Sequence, residues 1–68
     1  MTLRKILFNI LQGDKAKYSI YITDRHGNLI CCCTPKFLYY AISEEFKETI
    51  VIENSCDDIN KIFIMMIN

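Results

Sequence analysis

Apolar residues recur along the first dozen positions at Leu3, Ile6, Leu7, Ile10 and Leu11, a spacing that gathers side chains on one face of a helix. Thr2 is placed to cap that helix and Gly13 to end it after Gln12. Phe8 falls about 60° outside the stripe on a wheel of 3.6 residues per turn, which makes it a candidate contact residue. From residue 17 the period changes to two. Tyr18, Ile20 and Ile22 alternate on one face of a strand, Asp24-Arg25-His26-Gly27-Asn28 carries turn chemistry, and residues 29–34 return with β-branched and small apolar side chains. The pattern predicts a β-hairpin with a bulge at its four- or five-residue connection.

Thr34-Pro35 reads as the N-cap and first residue of a second helix. Its expected inner face is Phe37, Leu38, Ala41 and Ile42, with Phe46 just beyond and Tyr39 and Tyr40 outward. An unbroken helix would put Glu45 in the middle of the inner face, so an end or kink is expected near Ser43. Residues 49–53 read as a third strand with Ile50 and Ile52 on one face, 54–58 as a connection, and 59–67 as a fourth strand apolar on both faces.

The chain is thus expected to be one small α+β domain spanning residues 1–68. Its elements run α-β-β-α-β-β, with a four-stranded antiparallel sheet in the order 1-2-4-3 packed against two short helices. The second and fourth strands are both apolar on two sides, which places them in the middle and requires cover on both faces. The preferred arrangement sets the helices on one face and a partner, a second copy among the candidates, on the other.

Composition narrows the function classes. Half of the 68 residues are apolar, twelve of them Ile, too many for a disordered chain. A domain this small buries about 60% of its extended surface, and a deep catalytic pocket would remove much of that core. The longest uncharged apolar run is 62–67, far short of a membrane span. The opening MTLRKILFNILQ is interrupted by Asn9 and followed by no small-residue cleavage site. A cytoplasmic, unprocessed protein is expected.

Net charge is zero, but residues 1–36 hold six basic residues against two acidic, and residues 37–68 hold two basic against six acidic. Such asymmetry serves as an internal complement or as a partner-facing patch. The best candidate surface combines Tyr39 and Tyr40 with Glu44, Glu45 and Glu48, since tyrosine is enriched at interface hot spots. Phe8 is second to it.

Other chemistries find little support. Cys31, Cys32 and Cys33 are consecutive and alternate between faces, there is no C-x-x-C pair, and all four cysteines are expected to be small buried hydrophobes. A thiol enzyme would need His26, which lies in the turn, several extended residues from the cysteines. A zinc site from Cys31, Cys33, Cys56 and His26 matches no standard spacing. Asp57-Asp58 and Glu44-Glu45 lack an accompanying phosphate loop or histidine. No enzyme activity, cofactor or metal is expected.

The reading is a protein-interaction module that inhibits or modulates a larger enzyme or complex. In size, and in a heavy use of Ile, Asn, Lys, Tyr and Phe that suits an AT-rich genome, the chain resembles, in general character, small phage and mobile-element proteins such as anti-CRISPR inhibitors. The alternative is a small nucleic-acid-binding regulator using the basic N-terminal half, Arg4, Lys5, Lys15, Lys17 and Arg25, although zero net charge leaves a weak electrostatic footprint.

Overall fold

The computed structural model describes residues 1–68. The elements are α1 (Leu3–Gln12), β1 (Ser19–Thr23), β2 (Leu29–Cys33), α2 (Pro35–Ala41), α3 (Glu44–Lys47), β3 (Val51–Asp57) and β4 (Ile62–Ile67). They form an α+β domain in which the strands make one sheet in the order β2-β1-β4-β3. The accessible surface is 4538 Å², close to the roughly 4,450 Å² that surface scaling gives a compact 8.0 kDa monomer.

Both hairpins form as expected: β1 pairs antiparallel with β2, and β3 with β4. The sheet is mixed, however, because β1 rather than β2 lies against β4 and runs parallel to it. The reason is side-chain size. Ile20 and Ile22 of β1 are fully buried, whereas the inward residues of β2 are Cys31 and Cys33, which stay half-buried. Giving the interior position to the larger side chains removes more apolar surface from water.

The helices cover one face only. Leu3, Ile6 and Leu7 of α1 and Leu38 of α2 pack with Ile20, Ile22, Val51, Met65 and Ile67 in a single core. Thr2 caps α1 by accepting from the Lys5 amide at 3.3 Å. The backbone at residues 1–3 also runs beside the start of β3: the Leu3 amide donates to the Thr49 carbonyl and the Val51 amide to that of Met1, both at 2.9 Å. This covers part of an otherwise open sheet edge.

Three expectations are corrected. First, β3 continues through Asp57, and the connection moves to 58–61. Asn54 and Ser55 are turn formers by habit, but on an edge strand their side chains remain in solvent. The turn is built by Asp57, whose Oδ1 accepts from the Ile59 and Asn60 amides at 3.0 and 3.1 Å, and by Lys61 in the left-handed region at φ 57°. Ile59 is therefore a turn residue, 91% exposed. Second, Val51 is the buried residue at the start of β3 while Ile50 and Ile52 are exposed, because a bulge shifts register between Val51 and Glu53.

Third, α2 is rotated from its expected setting. Leu38 is buried, Tyr39 and Ile42 pack against the core, and Phe37 and Ala41 face solvent. Pro35, buried at the first position, and Leu38 fix this orientation, since residues i and i+3 share a helix face. The helix stops at Ala41, and Ser43 caps the separate α3 by accepting from the Phe46 amide at 3.0 Å. That break relieves the conflict at Glu45.

Candidate interaction surface

The rotation of α2 decides what the tyrosines do. Tyr39 turns inward, and the Lys47 ammonium sits over its ring, 4.4 Å from the centroid. Tyr40 remains outward, 73% exposed, its ring edge-on to Tyr39 at 5.3 Å and 82°. Phe37, expected inside, is 65% exposed. Phe37, Tyr40 and Ala41 are spaced i, i+3, i+4 and so share a face. With Thr34 and Lys36 they line an open concavity of about 430 Å³. Thr34 closes the first turn beneath it by accepting from the Phe37 amide at 3.4 Å.

The acidic residues are mostly engaged within the chain. Arg4 of α1 donates through Nη2 to Glu44 and through Nε to Glu48 Oε1, the latter at 2.7 Å. Glu44 also accepts from Lys47 Nζ at 3.0 Å. Arg4 first, and then Lys47, hold the Glu44 carboxyl below its ordinary range, while the two carboxylates raise the Arg4 guanidinium further. Lys47 is 5% exposed yet has both an anion and an aromatic face for its charge. Of the three glutamates proposed for contact, Glu45 alone has no ion pair. Phe8 is exposed on α1.

A second polar cluster joins the α1–β1 connection to the β3–β4 turn. Asp58 Oδ1 accepts from the Tyr18 hydroxyl at 2.9 Å and pairs with Lys15 Nζ at 3.0 Å. The Cys56 thiol lies 3.5 Å from the same oxygen. Lys15 and then Tyr18 lower the Asp58 carboxyl, and the bond to Asp58 pushes the Tyr18 phenol up. Desolvation, reinforced by Asp58, pushes the Cys56 thiol up as well. The cluster thus holds a protonated thiol rather than a thiolate nucleophile.

The cysteines are not uniformly buried as expected. Cys31 and Cys33 are half-buried with thiols pushed up by burial, and Cys32 and Cys56 are exposed. Cys31 and Cys33 lie at one edge of the sheet, Cys56 at the other, and His26 in the β1–β2 turn. No group of three or more His, Cys, Asp or Glu side chains converges to hold a metal ion. No helix is long and apolar enough to cross a membrane.

Neither a family model, nor a curated protein, nor a solved structure matches this chain. Function therefore rests on the side chains themselves. Two features escaped the sequence reading. Phe37 carries a signal, its i+3 spacing to Tyr40, that competes with an equally good inward assignment. The Lys15–Tyr18–Asp58 cluster has none, because its members meet only through the sheet.

Proposed function

We propose that this protein acts by binding a larger protein and modulating it, with the outward face of α2 as the contact. The observation that carries this reading is the adjacency of Phe37 and Tyr40, two large aromatic side chains at 65% and 73% exposure on one helix face. Singly exposed apolar residues need no explanation, but paired aromatics on a fixed element are what interface hot spots are made of. Their helix is anchored by Leu38 in the core and by Tyr39 beneath Lys47, so little ordering entropy is lost on docking. Glu45, unpaired at the start of α3, adds the acidic margin; Glu44 and Glu48 contribute mainly by fixing α3 to α1.

The reading is of an inhibitor or modulator without catalysis of its own, working in the cytoplasm, of the kind that phages and mobile elements use against host complexes. A nucleic-acid partner is disfavoured because Arg4 and Lys15 of the basic half already serve carboxylates within the chain.

The test is a tagged pull-down from nuclease-treated host lysate with wild type and with a Phe37→Ala/Tyr40→Ala variant. A stoichiometric partner that wild type retains and the variant loses, with an unchanged circular dichroism spectrum, supports the proposal. A partner indifferent to both substitutions but lost on reversing Lys5 and Lys17 to glutamate overturns it.

A further inference from the structure

The sheet face opposite the helices is uncovered, and its register resolves into three rows. Leu29, Thr23, Met66 and Glu53 are aligned across β2, β1, β4 and β3; Cys32, Tyr21, Ile64 and Ser55 form the next row; Ser19, Ile62 and Asp57 form the third. The columns of β2, β1 and β4 carry no charge, and both acids lie in the β3 column. Tyr21, Leu29 and Ile64 are exposed, Ile64 at 40%.

We propose that this face pairs with the same face of a second copy, through a two-fold axis parallel to the strands. The proposal is independent of the α2 contact. Four strands about 4.8 Å apart and some six residues long offer about 400 Å² in projection. Side-chain relief raises this to roughly 600 Å² per copy, or about 1,200 Å² in total, the lower end of stable interfaces. Tyr21, Ile64 and Met66 supply large apolar side chains, and Ser19, Thr23 and Ser55 beside them leave room for a facing layer at the usual sheet separation of about 10 Å.

Charge selects the axis. An axis perpendicular to the strands would stack each β3 on its equivalent and bring Glu53 of one copy over Asp57 of the other, a like-charge contact. An axis parallel to the strands lays β2 of one copy over β3 of the other and preserves the order of the rows. The β1–β2 turn continues beyond the Leu29–Thr23 row. Arg25, in that turn, then comes to the corner occupied by Glu53 of the partner subunit, and the contact occurs twice by symmetry. Neither Arg25 nor Glu53 has an ion pair within its own chain, and each gains one in the dimer.

Sedimentation equilibrium over a range of concentrations tests this. Wild type is expected to dimerise and Ile64→Glu to be monomeric with an unchanged circular dichroism spectrum, since the side chain already meets solvent. Arg25→Glu should weaken association about tenfold, equivalent to ~1.4 kcal/mol, and Arg25→Glu with Glu53→Arg should restore it. A wild type that stays monomeric at high concentration overturns the proposal. So does a dimer that survives Ile64→Glu but is lost with Phe37→Glu, and a charge swap that fails to restore association overturns the axis.

Discussion

The Lys47 ammonium stands 4.4 Å from the centre of the Tyr39 ring while bonding Glu44 at 3.0 Å. This contact turns a lysine of the four-residue α3 into a core residue and withdraws Tyr39 from the contact surface. Lys47 is 5% exposed, and its charge is shared between a carboxylate and an aromatic face. Replacing Lys47 with alanine removes both and should destabilise the protein by about 1–3 kcal/mol. Lys47→Met restores the stem without the charge and should recover part of the loss. Urea midpoints of the two variants decide the matter; a neutral alanine variant would mean that the contact adds nothing.

The exposed aromatics of α2 and the aliphatic side chains of the core should differ sharply in their response to truncation. Leu7 and Met65 are fully buried, so alanine at either should cost about 2–5 kcal/mol through lost transfer energy and a residual cavity. At this length the total stability is roughly 3–10 kcal/mol, so these variants should be largely unfolded at modest urea. Phe37→Ala and Tyr40→Ala should shift stability by less than about 0.5 kcal/mol. Thermal melts compare all four, and a large loss at Phe37 would show it to be a core residue after all.

How much of this was legible beforehand follows from the range of each interaction. Caps and turns are local, so Thr2, Thr34-Pro35, the break at Ser43 and the bulged hairpin over Asp24–Asn28 follow from adjacent residues. The β1–β2 hairpin follows from alternation, whereas the place of the β3–β4 turn does not, because Asn54 and Ser55 have the habit of turn formers and β4 is apolar on both faces. Nor does strand order, because choosing between β1 and β2 as the interior strand depends on comparing Ile20 and Ile22 with Cys31 and Cys33 once both pack under α1. The face of α2 was ambiguous over only seven residues: Phe37–Tyr40–Ala41 and Leu38–Tyr39–Ile42 are comparably apolar, and the burial of Pro35 together with Leu38 settles it. The candidate site suffered most, since Arg4 lies 40 residues from Glu44 in sequence and only the fold brings it across.

Gly27 is a position where local chemistry is decisive. It adopts φ 85° in the turn after β1, with nothing within 4 Å of where a Cβ would stand. Alanine there meets no clash, so its whole cost is the left-handed backbone, about 1 kcal/mol. Gly27→Ala should lower the unfolding free energy by that amount, read as a lower urea midpoint at an unchanged m-value, whereas Gly27→Asn, which tolerates this region better, should lose less. Equal losses for the two would place the cost elsewhere.

Acid should unfold the protein through a small set of carboxylates. Arg4 lowers Glu44, the Asn28 amide lowers Asp24, the Asn60 side chain lowers Asp57, and Lys15 lowers Asp58. A carboxyl depressed in the folded state stabilises the fold at pH values above its unfolded value, and that contribution is lost as pH falls through the folded one. With ordinary values of 4.5 for Glu and 3.8 for Asp, stability should be flat from pH 7 to about 5 and should fall progressively below about 4.5. These side chains meet solvent, so each contribution is screened and modest, and added salt should shrink those that depend on Arg4 and Lys15 more than the Asp24 turn. Urea midpoints at pH 7, 4.5 and 3 for wild type, Glu44→Gln and Asp24→Asn measure this. Each variant should start lower at pH 7 and lose less on acidification, and a wild type whose stability rises below pH 4.5 would contradict the assignment.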